Sequence, residues 1–533
     1  MRRYELPILL LLSLFFIVLG ATDAASIADE GFAVYNATRV QDGFLPYRDF
    51  FALYAPGQFY MMSWVFSIFG SSLSVSRGYD ILLRLALIFI VYLLGQKLIS
   101  RQWAIVPSVF VMLLLGTCGF FSYAMIPGVI LSLLSVLCLL NFITSRRKGW
   151  LIAGGVATGA TEIFRQDVGL YTAACFSFVL LLFTFSLAPK GYWRRIVLYE
   201  TIYLAPVFII VAPLWIFFSV AGSAWEMWLD LWVFPATILH GIRSLPYPDF
   251  FLNPIPLSHF RAVVGTWIRF YFPLIVCFFT LAQIALTWRT APQSDRNSLR
   301  VYGSLLITLL SIMLFAQAWS RNDPIHLMPT TITSFILAVK LLADFNFWEH
   351  PLPVKAGAAV VLAIVTIVYA VTPLKRWNTV RSIYSLAGCP SPNGRAGCVF
   401  IKPEQIQAMN FVQTLVPRSE RIYVGNTRHD QVFTGDLMFY FLADRHCATK
   451  YQEMIPRLTN TLPVQQRMVE DLKREKVRCI VLYSGFDGTH EPNTSMENTG
   501  VTYLDDFIHS NFRLTRQFGD YTIFTNTPQV NAQ

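Results

Sequence analysis

Charged residues are scarce in this sequence, and long apolar blocks take their place. Asp, Glu, Lys and Arg account for 14% of the 533 residues, whereas about a quarter of the residues of a typical soluble domain are charged. Hydrophobic residues account for 55% and gather in blocks such as Leu6–Gly20, Leu82–Leu94 and Val207–Val220. Several of these blocks approach the length that spans a bilayer. The composition therefore excludes a single soluble domain and predicts a multi-pass membrane protein.

The eight cysteines are scattered and include no CxxC pair. Four of them lie in apolar segments, where a thiol usually packs as a small hydrophobic group. Cys389 and Cys398 flank a loop rich in Pro, Gly and Asn. An oxidising compartment would allow a disulfide between them, although two free thiols fit the sequence equally well.

The net charge of +10 would suit a nucleic-acid partner, but the positions of the basic residues argue against one. Many of the Lys and Arg residues lie in short loops between apolar blocks, where they mark the cytoplasmic side of a membrane. The polar C-terminal part shows no basic stripe with interleaved aromatic residues. We therefore expect membrane lipids, and no nucleic acid, around this protein.

The basic loops also orient the chain. Arg2 and Arg3 precede the first apolar block, which predicts a cytoplasmic N-terminus. That block could be a signal peptide, but we expect a retained helix. The apolar blocks predict eleven spans, at about 6–22, 80–98, 103–117, 128–144, 150–165, 168–188, 197–220, 264–288, 300–319, 325–342 and 355–373. Every loop that this topology places in the cytoplasm is basic.

Three segments then lie outside the cytoplasm: residues 23–79, 221–263 and 374–533, named here the first outer segment, the second outer segment and the C-terminal domain. The sequence predicts a transmembrane domain over residues 1–373, with the first outer segment as one of its loops. The C-terminal domain alternates strand and helix patterns, which predicts an extracytoplasmic α/β domain. It contains no glycine-rich phosphate loop, no HExxH and no GxSxG motif, and we find no internal repeat in the chain.

Candidate functional residues are therefore the ionisable groups near the outer membrane surface, because charge close to hydrocarbon is costly. Asp29 and Glu30 follow the first span, and neighbouring helical residues diverge by about 100°, so only one of them can face a given target. A structural alternative is that Ser26 and Asp29 form a capping box at a helix start. Arg48 and Asp49 could equally be a paired turn.

Other candidates lie at the outer ends of later spans. Asp323 precedes a proline and suits a helix N-cap, which would place His326 in a first helical turn that favours phosphate. Arg84 lies inside an apolar span with Asp80 one turn earlier, which also fits a buried pair. The remaining candidates are Arg165, Asp167, Arg243 and Arg321. Carboxylates can act as a general base and arginines can hold a phosphate.

At these residues the chain resembles the GT-C superfamily of integral-membrane glycosyltransferases, in particular the branch of the aminoarabinose transferases and protein O-mannosyltransferases. The resemblance rests on Asp29-Glu30, on the stretch GFLPYRDFF followed by YAPGQFY at residues 43–60, and on Arg84. It implies a polyprenyl-phosphate sugar donor, an extracytoplasmic active site and an inverting displacement with Asp29 as the base. Aminoarabinose transferases have a glutamate where this chain has Tyr54, so their second carboxylate is missing and Asp49 could substitute for it.

The resulting prediction is a GT-C-like polytopic α-helical membrane protein with a C-terminal extracytoplasmic α/β domain, in the bacterial inner membrane. It would transfer a sugar from a polyprenyl-phosphate donor to a glycan, lipid or protein acceptor. A divalent metal is possible but not required. The alternatives are a transporter or lipid flippase, which would show repeats or interrupted helices, and a non-catalytic assembly protein. The expected catalytic residues are Asp29, Glu30 and Asp49, and the expected substrate-binding residues are Arg48, Arg84, Arg165, Asp167, Arg243, Arg321, Asp323 and His326.

The topology leads to a direct prediction. An odd number of spans with a cytoplasmic N-terminus places the C-terminus outside. Alkaline phosphatase fused after Gln533 should therefore be active, and a reporter that works only in the cytoplasm should be inactive at the same position. The opposite pattern would reverse the orientation and move every candidate residue to the wrong side of the membrane.

Overall fold

Helices dominate the membrane part of the chain. The computed structural model describes residues 2–21, 24–120, 124–187, 192–249, 260–290, 292, 298–345, 352–377 and 394–526. The helices before the C-terminal domain are α1 (Arg2–Val18), α2 (Asp29–Gln41), α3 (Gly57–Phe69), α4 (Leu73–Leu98), α5 (Val106–Thr117), α6 (Met125–Ser145), α7 (Gly149–Phe164), α8 (Gln166–Leu187), α9 (Tyr192–Val220), α10 (Ala224–Trp228), α11 (His240–Ile242), α12 (Phe260–Phe270), α13 (Phe272–Thr290), α14 (Leu299–Ser320), α15 (Pro324–Asp344) and α16 (Leu352–Trp377).

Ten of the eleven predicted spans each overlap one of these helices, and the eleventh overlaps two. Among the described residues, seven helices are long and apolar enough to cross a membrane, namely α4, α6, α8, α9, α13, α14 and α15. Shorter apolar helices occur at Tyr4–Val18, Val106–Thr117 and Ala359–Val371. The prediction of a multi-pass helical membrane protein is therefore confirmed. The predicted span 264–288 is divided, because α12 ends at Phe270 and α13 begins two residues later.

The glycine-rich helix α7 packs unusually close to its neighbours. A Cβ atom added to Gly155 would collide with the backbone oxygen of Tyr203, and one added to Gly159 would lie 2.8 Å from the side chain of Ile210. Both contacts are with α9, and small residues allow membrane helices to approach in this way. The high glycine content of the predicted span 150–165 therefore reflects close helix packing.

The C-terminal domain contains one four-stranded sheet. Its elements are α17 (Pro403–Leu415), β1 (Tyr423–Asn426), α18 (Leu437–Ala443), α19 (Leu462–Arg474), β2 (Cys479–Tyr483), α20 (Tyr503–Asn511), β3 (Phe512–Phe518) and β4 (Tyr521–Asn526). The strand order is β1-β2-β4-β3. β1 and β2 are parallel, with Tyr423 opposite Ile480, and β4 runs antiparallel to both of its neighbours. The predicted α/β domain is confirmed. Cys398 is disulfide-bonded, and Cys389 lies outside the described residues.

The first outer segment and the C-terminal domain share one apolar core. Phe32, Tyr35 and Phe59 belong to the same cluster of buried side chains as Tyr440 and Ile480. The rings of Tyr35 and Tyr440 stack with their centroids 4.9 Å apart. The Tyr35 hydroxyl oxygen also accepts a hydrogen bond of 2.6 Å from a backbone N–H of the C-terminal domain. The loop assigned by sequence to the transmembrane domain thus packs as part of the domain above it.

Helix α2 is joined to the membrane part by a buried ion pair. Both carboxylate oxygens of Glu30 accept hydrogen bonds of 2.8 Å from the guanidinium of Arg77 on α4. The two side chains are 0% and 3% exposed, so neither charge can be compensated by water. Arg77 also donates a hydrogen bond to the Ala21 carbonyl at 2.8 Å. This pair fixes the start of α2 above the span that follows it.

Because removal of one partner leaves a buried charge unpaired, Glu30→Gln should destabilise the protein by about 3–5 kcal/mol. The exposed pair of Arg48 and Asp49 provides the control, since Asp49→Asn should change stability by less than about 1 kcal/mol. Melting temperatures of the purified proteins in detergent measure both effects. Equal melting temperatures for the two variants would show that the buried pair does not hold α2.

Candidate active site

One cavity gathers five of the eleven candidate site residues that the sequence singled out. Its volume is about 340 Å³. It lies where α2 and α15 begin, beside the second outer segment and below the C-terminal domain. The polar and charged residues that line it are Asp29, Tyr54, Gln58, Arg243, Arg321, Asp323, His326, Thr434 and Glu453. Apolar side chains, including Phe32, Leu53, Phe59, Ile325 and Phe433, cover the rest of its wall.

Asp29 presents a carboxylate to this cavity that is not needed to cap its helix. The Ser26 hydroxyl oxygen accepts a hydrogen bond from the Asp29 backbone N–H at 3.2 Å, and the Ser26 N–H donates to the carboxylate of Glu30. The reciprocal contact of a capping box is therefore made by Glu30. The Asp29 side chain is accessible from the cavity. The surrounding protein raises the pKa of Asp29 by burial, opposed by the charges of Arg243 and His326, and a raised pKa suits a general base.

Arg243 reaches the cavity from the second outer segment. Its guanidinium donates a hydrogen bond to the Phe433 carbonyl oxygen of the C-terminal domain. The guanidinium carbon lies 5.4 Å from the centroid of the Phe433 ring, and Nε is buried with no hydrogen-bond partner among the described residues. Burial, followed by the nearby charge of Arg321, lowers the pKa of Arg243. A cation with spare donors in this position is suited to bind an anion.

Arg321, Asp323 and His326 form one network at the start of α15. Asp323 caps the helix, because its carboxylate accepts hydrogen bonds from the backbone N–H groups of Ile325 and His326 at 3.0 and 2.9 Å. The His326 ring lies 2.8 Å from the same carboxylate through Nδ1. Arg321 binds Asp323 at 3.0 Å and both carboxylate oxygens of Glu491 at 3.0 and 2.5 Å. The C-terminal domain therefore contacts the cavity's second arginine directly.

Glu453 is a cavity residue that the sequence did not reveal. It belongs to the C-terminal domain, where a carboxylate outside any motif carries no signal. The adjacent Gln452 donates hydrogen bonds of 3.1 Å to Asn36 and to the Phe51 carbonyl, which holds this segment against the first outer segment. One carboxylate oxygen of Glu453, Oε2, is buried and has no hydrogen-bond partner in the part of the chain that the structure describes.

Three predicted residues contact other parts of the protein instead. Glu30 binds Arg77, as described above. Asp49 accepts hydrogen bonds of 2.9 and 2.8 Å from Arg48, and both line a separate, wider groove on the outer surface. Arg48 and Asp49 therefore form a paired turn, which was one of the two interpretations of these residues.

Arg84 is also buried away from the cavity. Its Nε donates to Asp80 at 2.8 Å, and its other nitrogens donate to the carbonyl oxygens of Leu115 and Gly119 at 2.7 and 2.5 Å. These carbonyls lie at and beyond the C-terminal end of α5, where helix carbonyls lack intrahelical partners. Arg84 thus joins two membrane helices.

Arg165 and Asp167 lie just behind the cavity wall. Arg165 donates to Asp167 at 2.9 Å, and its guanidinium carbon is 4.7 Å from the ring centroid of Tyr54, which lines the cavity. Asp167 also accepts a hydrogen bond from Gln317 on α14. This pair therefore supports an aromatic residue that lines the cavity.

Among the described residues, no group of three or more His, Cys, Asp or Glu side chains is placed to hold a metal. Of the cavity carboxylates, Asp323 is already occupied by Arg321, His326 and the helix N-terminus.

Comparison with solved structures identifies the fold. No family model and no curated protein matches the sequence. The archaeal oligosaccharyltransferase AglB from Archaeoglobus fulgidus, solved with an inhibitory peptide and a dolichol-phosphate, is similar over 90% of this chain and 70% of its own, with a TM-score of 0.58 and 12% identity. ArnT from Cupriavidus metallidurans, bound to undecaprenyl phosphate, is similar over 98% of both chains, with a TM-score of 0.53 and 13% identity.

The apo form of the same ArnT aligns with 99% of this chain at a TM-score of 0.56 and 12% identity. At sequence identities this low, the similarity establishes only the fold. The resemblance read from the sequence is thereby confirmed at the level of structure, and the chain has the fold of the GT-C glycosyltransferases.

Proposed function

We propose that this protein is a glycosyltransferase that moves a sugar from a polyprenyl-phosphate donor to an extracytoplasmic acceptor. The observation that carries the proposal is the cavity in which Asp29, Arg243 and Arg321 meet at the outer ends of membrane helices. The structural neighbours were solved with a dolichol-phosphate or an undecaprenyl phosphate, which supports the same class of donor.

The cavity suits a ligand with an anionic head and an apolar tail. Arg243 has donors available for a phosphate group, and forked guanidinium groups bind phosphate well. Arg321 follows α14, and Asp323 begins α15, so the charged wall lies level with the ends of two apolar helices. A prenyl chain can then remain in the membrane while its phosphate enters the cavity.

The proposed reaction is a single inverting displacement. The acceptor oxygen attacks the anomeric carbon from the face opposite the phosphate, and the bond between that carbon and the phosphate oxygen breaks. Asp29 takes the proton of the acceptor hydroxyl as the new bond forms. The polyprenyl phosphate leaves with the bonding electrons, stabilised by the arginines. Holding donor and acceptor together in the cavity supplies much of the remaining rate enhancement.

The three carboxylates predicted as catalytic take different roles in this proposal. Asp29 is the base, because it alone of the three lines the cavity. Glu30 holds α2 on Arg77, and Asp49 stabilises a turn with Arg48. The acceptor is a glycan, a lipid or a protein, and the protein resides in the bacterial inner membrane with the C-terminal domain outside the cytoplasm.

Replacement of Asp29 by Asn tests the base. The amide preserves the shape of the side chain but cannot accept the acceptor proton, so transfer should fall by about 100-fold or more, the usual contribution of a general base. Transfer is measured with membranes or purified protein and a polyprenyl-phosphate sugar. Folding should be unaffected, because Ser26 and Glu30 supply the capping contacts.

Asp42→Asn is the matched control, since Asp42 follows the other end of α2 and faces His446 at 3.0 Å. It should leave transfer near the normal rate. Near-normal transfer by a well-folded Asp29→Asn variant would reject Asp29 as the base and leave Glu30 and Asp49 as the remaining candidates for the base.

The arginines give a separate prediction about donor binding. A hydrogen bond to a charged group is worth about 1.5–3 kcal/mol, so Arg243→Ala should weaken binding of undecaprenyl phosphate by at least about tenfold. Arg321→Ala should weaken it as well, because the change leaves the carboxylates of Glu491 and Asp323 without their cation beside the phosphate. Arg418→Ala, at an arginine of the C-terminal domain that is 67% exposed, should bind normally. Unchanged binding by both cavity variants would place the phosphate site elsewhere.

A further inference from the structure

Much of the positive charge in the cavity is already paired with carboxylates of the protein. The guanidinium fork of Arg321 is occupied by Glu491 on one side and Asp323 on the other, and Asp323 also binds the His326 ring. Arg243 is then the main cation that faces the two remaining carboxylates, Asp29 and Glu453. If both carboxylates were ionised, their combined negative charge would oppose the entry of a phosphate.

One of the two carboxylates must therefore be neutral when an anionic donor binds. Asp29 has to be ionised to accept a proton, which leaves Glu453. Its carboxylate oxygen Oε2 is buried and has no hydrogen-bond donor among the described residues. Such a site disfavours a charged carboxylate.

The electrostatics of Glu453 agree with this geometry. The pKa of Glu453 is raised to about 7, chiefly by burial; the positive charge of Arg243 opposes this rise, and the negative charge of Asp29 adds to it. Arg321, Asp323 and His326 also line the cavity, but they largely neutralise one another. A carboxyl group with a pKa near 7 is mostly protonated at pH 6 and mostly ionised at pH 8.

We propose that Glu453 is a donor-binding residue that acts in its protonated form, with its carboxyl O–H donating a hydrogen bond to a phosphate oxygen of the lipid donor beside Arg243. A hydrogen bond from a carboxyl group to an anion is short and strong. The inference rests on the proposed function, because it takes the phosphate to bind in this cavity. It gives the C-terminal domain a direct part in substrate binding.

Binding of the phosphate then requires a proton on Glu453, so donor affinity falls as the pH rises through about 7. The full-length protein in detergent is titrated with undecaprenyl phosphate at pH 6 and at pH 8. Relative to Glu453→Gln, the wild-type dissociation constant should increase about tenfold between these values, because a group with a pKa near 7 changes from about 90% to about 10% protonated.

The glutamine variant is informative because its amide N–H can donate a hydrogen bond at every pH. Titration of the phosphate itself affects both proteins alike and cancels in the ratio. Glu470→Gln serves as the matched control, since Glu470 lines the separate outer groove and its variant should follow the wild-type pH dependence.

The failure of this inference can be distinguished from failure of the proposed function. If Arg243→Ala weakens binding but wild type and Glu453→Gln keep a constant ratio of dissociation constants, Glu453 is not the protonated group. If Arg243→Ala and wild type bind undecaprenyl phosphate equally well, or neither binds it, the proposed donor site itself is wrong.

A measurement on the wild type alone guards against a variant that does not fold. Calorimetry at pH 8 in two buffers with different ionisation enthalpies should show net proton uptake when undecaprenyl phosphate binds. Binding without proton uptake would overturn the inference.

Discussion

Helix α2 is held from two sides, and the position of the candidate base depends on both attachments. Below it, the buried ion pair with Arg77 fixes Glu30 to a membrane helix. Above it, Gly31 lies so close to the Met438 backbone that a Cβ atom would collide with it, and Tyr35 stacks on Tyr440. Asp29 begins this helix, so its carboxylate is placed by contacts that its own side chain does not make.

The fold could be predicted closely from sequence, because its signals are local. An apolar block of about 20 residues predicts a span wherever it occurs, and short apolar runs between turns predict the strands of the C-terminal domain. The glycines of α7 were harder to interpret from sequence, because they are explained by the close contact between α7 and α9. The union of the first outer segment with the C-terminal domain could not be predicted, since it depends on residues about 400 positions apart in sequence, such as Tyr35 and Cys447.

The site could be predicted only in part, for a related reason. Charge near hydrocarbon is exceptional, and that rule found Asp29, Arg243 and Arg321. The same rule also selected Arg84, whose partners include carbonyls at the end of a helix. The sequence alone does not distinguish a charge that is paired within the protein from one that is available to a ligand. Glu453 was not identified from the sequence, since carboxylates are common in a polar domain and only the fold brings this one close to the arginines.

The shared core also fixes the order in which the protein can mature. Membrane helices insert as they are synthesised, and contacts between distant residues form late. Asp29 leaves the ribosome among the first residues and Glu453 more than 400 residues afterwards. A nascent chain with all its helices inserted therefore still lacks one wall of the cavity. The cavity is complete only when the C-terminal domain has folded against the first outer segment, so a chain interrupted before this domain has no finished cavity.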